Sequence, residues 1–380
     1  MAKSNKIETS KKILFLLLLL VLCLPILQMK TKFAKVKQLN GAIAEPVYPT
    51  FNYDSLEKGV FQEKFEKYFN EDVGFRPSFI RLNNQLKYWL YNKAQANGVL
   101  IGKEGYLYEY NYIKAYYGLN YIGKDSIENN VKRLKYIQDK LASMNKTLII
   151  VLAPGKGSFY PEYFPDSCNR KIGPTNTQFY IKYLKKHQVN FVDLKTWFLK
   201  IKKSSKYPLY SKGGIHWSKY GEVIAFDTLV KFIESKTNLD FPNISITSVK
   251  ISDEKKDGDN DIGDGMNLIF RNPSFPMGYP EIVITQPEMS VNKTSFISDS
   301  YYWGAFNRGF STSIFGNGKF WFYNNEVYPD NYEKPTTVND LNFSQEINEN
   351  KVIVLMSTDA NLDRFPFGFI ELFMKYFPPR

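Results

Sequence analysis

Three polar residues, Ser298, Asp299 and Ser300, follow a short run, Thr-Ser-Phe-Ile, at 294–297 and include the chain's candidate nucleophile. The run is typical of a β-strand, and the turn after the carboxyl end of a strand is where an α/β fold presents a nucleophilic serine. The same residues also suit an Asx-type turn that only ends a strand. A serine hydroxyl needs a base to accept its proton, so the histidines bear on this choice.

The chain has two histidines, His187 and His216, so the search for a base is short. His187 falls at the end of a predicted helix, 178–187, where a positive charge suits the helix dipole. We interpret His187 as a surface residue of that helix end.

His216 follows a loop that contains two glycines. Ser218, two residues later, is a good cap for a helix that the apolar spacing predicts from about 220 to 233. A histidine held just before a helix N-terminus is well placed to act as a catalytic base. The same position equally suits a structural histidine that packs against Trp217.

Strand and helix patterns alternate along most of the chain. Continuous apolar runs predict buried parallel strands, and apolar residues three and four apart predict helices. The predicted strands are 147–152, 189–194, 281–285, 294–297 and 351–356, and the predicted helices are 125–144, 178–187, 220–233 and 361–377. A hairpin at 99–108 and two helices between 52 and 90 precede them. The alternation predicts a three-layer α/β domain with a mostly parallel sheet.

The N-terminus carries a basic tail followed by an apolar segment. We predict a cytoplasmic tail at 1–12, a transmembrane signal anchor at 13–29, a linker at 30–50 and one folded domain at 51–380. Cleavage of a signal peptide is the alternative, although the small-residue triplet Ala42-Ile43-Ala44 lies far beyond the apolar segment. Lysines flank both ends of that segment, so charge alone does not set its orientation.

Composition narrows the classes of partner. The formal net charge is +12, with lysines spread throughout, which favours an anionic surface or polymer over nucleic acid as a partner.

The two cysteines predict no disulfide, because Cys23 lies inside the apolar N-terminal run and Cys168 lies far from it in a polar loop. The sequence has no cysteine and histidine spacing of the kind that binds zinc. The acidic segment 253–264 is predicted to be an exposed insertion, and its Asp257, Asp259 and Asp261 lack the closing glutamate of a calcium loop. We expect neither a metal nor a cofactor.

A series of short motifs, in order between about 65 and 375, resembles one known family. The motifs are Phe75-Arg76, the 99–107 hairpin, Pro154-x-Lys156, Tyr160-Pro161-Glu162, 214–218, Asp299-Ser300, the strand around Val354 and Asn361-Leu362. They are similar to those of the SGNH-hydrolase-like proteins of bacterial polysaccharide O-acetylation, the alginate O-acetyltransferase type. The resemblance implies an SGNH-hydrolase-like fold after the membrane-anchor helix.

The resemblance also implies roles for individual residues. Ser300 matches the acylated serine of a Gly-Asp-Ser turn, Asp299 the aspartate of that turn, and His216 the base of an Asp-x-His-Trp motif. Two positions depart from the pattern, because Ser298 replaces the glycine and Gly214 replaces the orienting aspartate.

The loss of the aspartate at position 214 leaves three outcomes open, since that carboxylate normally controls the histidine tautomer. Another carboxylate takes the role, with Asp193 and Asp264 as candidates. Alternatively, Ser300 and His216 work as a dyad, or the protein binds glycan without turnover.

The activity that the resemblance implies is acetyl transfer to hydroxyls of a cell-envelope or exopolysaccharide through an acyl-serine. A membrane-bound O-acyltransferase partner would deliver the acetyl group, and the domain would lie on the periplasmic side of the bacterial inner membrane. Lys156, Arg76, Trp217 and Tyr301 are candidates for holding the substrate, although each also suits a structural role. A glycan esterase and a non-catalytic glycan-binding subunit are the alternative functions.

Overall fold

The computed structural model describes residues 2–41, 46–256, 258–286, 292–329 and 335–379, with side chains from residue 10 onward. The Ala42-Ile43-Ala44 triplet and Asp257 lie outside the described residues. The chain divides into two compact units. The first comprises residues up to Ala96 together with Asp264–Arg271, and the second comprises Asn97–Gly263 and Asn272–Arg380.

The first unit is helical. Its helices are α1 (Ala2–Thr31), α2 (Tyr53–Glu57), α3 (Val60–Asp72) and α4 (Arg76–Tyr91). Within α1, Ser10–Thr31 is long and apolar enough to cross a membrane, a test that signal sequences also pass. The turn between α3 and α4 packs tightly on α1, because a Cβ on Gly74 would lie 2.1 Å from the carbonyl oxygen of Pro25.

The second unit is built on a mixed sheet. The strands are β1 (Val99–Ile101), β2 (Leu107–Glu109), β3 (Thr147–Ala153), β4 (Phe191–Asp193), β5 (Asn243–Ser252), β6 (Met277–Thr285), β7 (Thr294–Ser298), β8 (Phe320–Phe322), β9 (Glu326–Tyr328) and β10 (Val352–Thr358). In the part of the chain that the structure describes, the main sheet has the order β4-β3-β10-β7-β8-β9. Only the edge pair β8–β9 is antiparallel.

Helices cover both faces of this sheet. They are α5 (Tyr110–Tyr117), α6 (Lys124–Ala142), α7 (Lys156–Phe159), α8 (Asn176–Lys186), α9 (Leu194–Ile201), α10 (Lys219–Thr237), α11 (Asp261–Gly265), α12 (Trp303–Asn307), α13 (Phe310–Ser313), α14 (Phe343–Glu349) and α15 (Phe369–Tyr376). On one face, alternate side chains of β3 share a core with α6, α8 and α15. On the other, Phe296 of β7 contacts Phe226 of α10, with ring centroids 6.1 Å apart. The three-layer α/β prediction is therefore confirmed.

Three sequence predictions need correction. The strand predicted at 281–285 is part of β6, which pairs with the unpredicted β5 in a separate antiparallel ribbon. The closing helix predicted at 361–377 begins only at Phe369, because Pro366 and Gly368 interrupt it. The 253–264 segment is not wholly exposed, since Asp259 and Asn260 are buried.

The parallel arrangement brings the carboxyl ends of β3, β10 and β7 to one edge of the sheet. Pro154 follows β3, Asp359 follows β10, and Asp299 and Ser300 follow β7. This edge is where open α/β sheets place their ligand sites.

We predict that Leu134→Ala in α6 lowers the free energy of unfolding by about 2–5 kcal/mol, because the side chain is fully buried in the main core. The neighbouring Lys135, whose side chain is 35% exposed, pairs with Asp139 on the helix surface, so Lys135→Ala should cost about 1 kcal/mol or less. Urea unfolding of both variants measures the difference. Equal destabilisation of the two variants would contradict the core assignment.

Candidate active site

Ser300 stands at the start of a single helical turn directly after β7. Asp299 caps the 3-10 helix Ser300–Tyr302, because its Oδ1 accepts a hydrogen bond from the backbone N–H of Tyr301 at 3.2 Å. The cap fixes where the chain leaves the strand and turns. The hydroxyl of Ser300 is thereby presented at the sheet edge.

Asp299 ties this turn to the neighbouring strand. Its Oδ2 accepts hydrogen bonds from the backbone N–H of Thr358 at 2.9 Å, the hydroxyl of Thr358 at 2.8 Å and the side-chain amide of Asn361 at 2.9 Å. The carboxylate is completely buried, and these donors compensate its charge. The catalytic role predicted for Asp299 stays a prediction, and its hydrogen bonds hold the end of β7 against the end of β10.

His216 lies beside Ser300 and completes a hydrogen-bonded chain. Its Nε2 is 2.9 Å from the Oγ of Ser300, and its Nδ1 is 2.8 Å from the Oδ2 of Asp261. A serine, an imidazole and a carboxylate in this order have the geometry of an activated nucleophile, its base and the group that orients the base.

Asp261 is itself held by the backbone. Its Oδ1 accepts hydrogen bonds from the N–H groups of Ile215 at 2.9 Å and Ile262 at 2.7 Å. The loop before His216 and the loop that carries Asp261 are joined again where the N–H of Gly263 donates to the carbonyl of Gly213 at 3.0 Å. The carboxylate therefore reaches the imidazole at a fixed angle.

The prediction that Asp193 or Asp264 takes the place of the missing aspartate is wrong. Asp193 caps α9, where it accepts a hydrogen bond from the N–H of Thr196 at 2.9 Å. Asp264 belongs to the first unit and lies 3.8 Å from the guanidinium of Arg271. No spacing signal points to Asp261, because it is 45 residues from His216 and lies in a segment that looks like a polar insertion.

Gly214 lies tightly against the loop that carries Asp261. A Cβ at this position would lie 2.7 Å from the Oγ of Ser211 and 2.8 Å from the carbonyl oxygen of Gly258. Contacts this short require the neighbours to shift, and one of them is backbone. The glycine thus permits the close approach of the loop that delivers Asp261.

Lys156 holds the loop before His216 through two hydrogen bonds. Its side chain is fully buried, and its Nζ donates to the carbonyls of Lys212 at 2.6 Å and Gly214 at 2.7 Å. Burial lowers the pKa of Lys156 to about 7, although the charge of Asp261 acts in the opposite direction. Lys156 was predicted to hold substrate, but a residue with no exposed surface positions the His216 loop instead.

A cavity of about 420 Å³ opens in front of the Ser300–His216 pair. Trp217 and Tyr301, two of the predicted substrate contacts, line it, and both are almost completely buried. The hydroxyl of Tyr301 donates to the carbonyl of Ile215 at 2.8 Å, so this ring also supports the histidine loop. Arg76, the remaining predicted substrate contact, is the first residue of α4 in the first unit.

Three charged residues that the sequence analysis missed form one wall of the cavity. Glu222 is 2% exposed, and its carboxylate lies 3.5 Å from the Nζ of Lys219 and 3.1 Å from the Nε of Arg308. Lys219 and Glu222 belong to the first turn of α10, directly after His216, and Arg308 follows α12, directly after Ser300. The chain segments that carry the base and the nucleophile therefore also carry this cluster, which we call the Glu222 cluster.

The environment of His216 sets its protonation. Burial of the imidazole lowers its pKa, but the hydrogen bond and charge of Asp261, with the charges of Asp299 and Glu109, outweigh burial and raise the pKa above its usual value. The imidazole is thus a stronger base than an isolated histidine, and it is stabilised once it has accepted a proton.

Comparison with known proteins gives a family for this region. Residues 99–262 match the family described as "ALGX: SGNH hydrolase-like domain, acetyltransferase AlgX". This segment therefore carries an SGNH hydrolase-like domain of the AlgX acetyltransferase type, which confirms the resemblance found in the motifs. The match covers less than half of the chain and contains His216 and Asp261, and Ser300 follows it.

Solved structures of similar shape carry related descriptions. The O-acetyltransferase domain of Pseudomonas putida AlgJ is 14% identical, covers 73% of this chain and 99% of its own, and has a TM-score of 0.49. For Pseudomonas aeruginosa AlgX the values are 11%, 72%, 67% and 0.44, and for Bacillus cereus PatB1 they are 12%, 70%, 96% and 0.42. No curated protein matches the chain.

We predict that Asp261→Asn slows acylation of Ser300 by a chromogenic ester by about 10³- to 10⁴-fold, because the imidazole loses control of its tautomer. His216 must be neutral to act as the base, so the wild-type rate falls as the pH drops through its raised pKa. In the variant the hydrogen bond and charge of Asp261 are lost while burial and the charges of Asp299 and Glu109 remain, so the pKa of His216 falls and the acidic limb of the pH–rate profile moves to lower pH. An unchanged acidic limb would show that Asp261 does not control His216.

We predict that Gly214→Asp, which restores the aspartate of the family motif, lowers activity instead of raising it. The new Cβ would push away the loop that holds Asp261, at a cost on the order of 1–3 kcal/mol in stability. Gly265→Ala is the matched control, because a Cβ there meets no atom within 4 Å. Acylation rates and unfolding of both variants test this, and a Gly214→Asp variant faster than wild type would contradict it.

Proposed function

We propose that this protein is a polysaccharide O-acetyltransferase that works through an acetyl ester on Ser300. The observation that carries the proposal is the hydrogen-bonded chain from Ser300 through His216 to Asp261, with separations of 2.9 and 2.8 Å. The AlgX-type match of residues 99–262 supports the same chemistry.

In the first half-reaction, the Oγ of Ser300 attacks the carbonyl carbon of an acetyl donor while the Nε2 of His216 takes the hydroxyl proton. The bond from the carbonyl carbon to the donor then breaks, and His216 returns the proton to the leaving group. In the second half-reaction a sugar hydroxyl attacks the ester, His216 takes its proton, and the C–Oγ bond breaks as Oγ is protonated again. Each step needs the same imidazole in alternating roles.

Asp261 holds His216 in the tautomer that has the proton on Nδ1, so Nε2 stays free to accept a proton from Ser300. When the imidazole becomes positively charged, the carboxylate stabilises that charge. The backbone N–H of Ser300 is the first of its helical turn and has no intrahelical acceptor, so it is a natural donor to the oxyanion that forms at the carbonyl.

The Glu222 cluster supports binding of the sugar acceptor. Lys219 and Arg308 line the same cavity as Ser300 and pair with the buried carboxylate of Glu222, so their positions are restricted. Trp303 also lines the cavity, and its ring is held against Tyr328 with centroids 4.5 Å apart, so an aromatic residue in a fixed position lies beside these donors. Preorganised donors beside an aromatic surface are typical of sites that fix the orientation of a polar ligand.

The location follows from α1. We propose that Ser10–Thr31 anchors the chain in the bacterial inner membrane with the catalytic unit on the periplasmic side. A membrane-bound O-acyltransferase would then supply the acetyl group next to the anchored domain. The apolar character of α1 supports this placement.

The position of Asp261 also bears on the alternatives. A non-catalytic glycan-binding subunit was favoured only by the missing aspartate at position 214, and Asp261 now occupies that role in space. An esterase would use the same three residues, with water in place of the sugar as the second nucleophile. The acceptor experiment below separates it from a transferase.

We predict that the full chain treated with p-nitrophenyl acetate gains one acetyl group on Ser300, that Ser300→Ala abolishes the label and that His216→Ala lowers its rate by at least about 100-fold. Ser298→Ala is the matched control on the same peptide and should keep the label. Intact-protein and peptide mass spectrometry measure it.

Addition of an oligosaccharide to the acetylated protein then identifies the second nucleophile. Acetylated oligosaccharide supports the transferase, and release of acetate alone supports the esterase. A chain that gains no label on Ser300, or one whose label persists in Ser300→Ala, would contradict the catalytic proposal.

A further inference from the structure

Helix α4 exposes apolar side chains and buries polar ones, the reverse of the usual pattern. Four apolar residues with helical spacing form an exposed row that we call the apolar stripe: Phe79, Leu82, Leu86 and Leu90. Each is between 45% and 67% exposed, whereas Asn84 and Gln85 on the other side of the helix are buried. A contiguous exposed apolar row of this kind marks an interaction surface.

The orientation of α4 is fixed by its polar side. The side-chain amide of Asn84 donates to the carbonyl of Met266 at 3.0 Å, and Gln85 accepts from the N–H of Phe270 at 2.9 Å. These bonds hold the polar side of α4 against Asp264–Arg271, a segment of the same unit. If α4 rotated about its axis so that the apolar stripe became buried, both hydrogen bonds would break. The polar groups that form them would then be left unsatisfied.

We propose that the apolar stripe of α4 lies in the interface of a lipid bilayer, the one that α1 spans. The inference goes beyond the acetyl-transfer proposal and does not depend on it. It rests on the proposal that α1 is a membrane anchor.

The start of α4 is attached to the end of α1. Gly74, two residues before α4, packs against Pro25, and the ring of Phe75 meets that of Phe33 edge to face with centroids 5.8 Å apart. Pro25 lies in the predicted transmembrane segment and Phe33 lies just beyond α1. The turn into α4 is therefore at the level where α1 would leave the hydrocarbon.

The linker after α1 keeps the next part of α4 close. The guanidinium of Arg81 donates to the carbonyls of Lys37 at 2.6 Å and Gln38 at 2.5 Å. Since α4 has 16 residues, it is about 24 Å long, and its apolar stripe runs along most of that length. Contact of the whole stripe with lipid requires the helix to lie roughly along the membrane surface.

The charges around the stripe suit lipid headgroups. Basic residues cluster in the linker and at the end of α4: Lys30, Lys32, Lys35, Lys37, Lys87 and Lys93. Trp89, 59% exposed, lies beside the stripe, and tryptophan is enriched at membrane interfaces. An exposed apolar row in a segment this rich in lysine, although Lys32 lies 3.5 Å from Asp72, has the composition of an interfacial helix that binds anionic bilayers.

The test uses the full chain reconstituted in vesicles of phosphatidylcholine and phosphatidylglycerol. A polarity-sensitive fluorophore is attached in turn to Leu82→Cys, Leu86→Cys and Leu90→Cys in a Cys23→Ala, Cys168→Ser background. Lys132→Cys, an exposed position on α6, is the water-exposed control. Native Cys23, labelled alone in the Cys168→Ser protein, reports whether α1 itself is in lipid.

We expect blue-shifted emission at the three stripe positions and quenching by lipids that carry shallow bromine atoms at least about twofold stronger than at position 132. If Cys23 is in lipid but the stripe probes behave like the control, the stripe is in water and the inference fails. If the stripe probes are shielded from both the lipid quencher and aqueous iodide, a protein surface covers the stripe and the inference also fails. If Cys23 is not in lipid, the anchor and the inference fail together.

Discussion

The hydrogen bond between His216 and Asp261 is the interaction on which the catalytic geometry depends, because it joins two loops that are distant in sequence. Asp261 accepts from the backbone of Ile215, and Gly263 donates to Gly213, so the two loops are held at three points. Lys156 supports the histidine loop from the core side through two carbonyls. The imidazole is thus restrained from both sides before any substrate arrives.

The sheet supplies the other half of the site. Because β3, β10 and β7 run parallel, their carboxyl ends place a buried lysine, a threonine–asparagine pair and the nucleophile on one edge. Asp299 converts this proximity into rigidity, since one buried carboxylate binds both its own turn and the end of β10. The nucleophile and its base therefore come from separate segments, and each is fixed by backbone contacts and not by the pair itself.

Structural features that depend on a local sequence pattern are predicted well from the sequence. Apolar periodicity places the core strands and α6, and the Ser298–Ser300 turn and His216 stand out because few residues can do their chemistry. Prediction from the sequence fails where the position of a residue depends on a contact with residues distant in the chain. Nothing local distinguishes Asp261 from its acidic neighbours, or shows that Lys156 and Asp299 are buried, and the Glu222 cluster forms only when α10 and α12 come together. Strand β5 and the first half of β6 were missed because the largely exposed β5 lacks the continuous apolar run of a core strand.

The presence of Gly214 before His216, with Asp261 supplied from elsewhere, also affects how such sites are recognised. In this chain the carboxylate and the imidazole lie on separate loops, so a search for the short Asp-x-His pattern would miss the spatial arrangement of Ser300, His216 and Asp261. A glycine at the first position of that pattern need not record decay of the enzyme. It can be the space through which a different loop supplies the missing charge, and sequences with this glycine deserve a search for an aspartate much further along the chain.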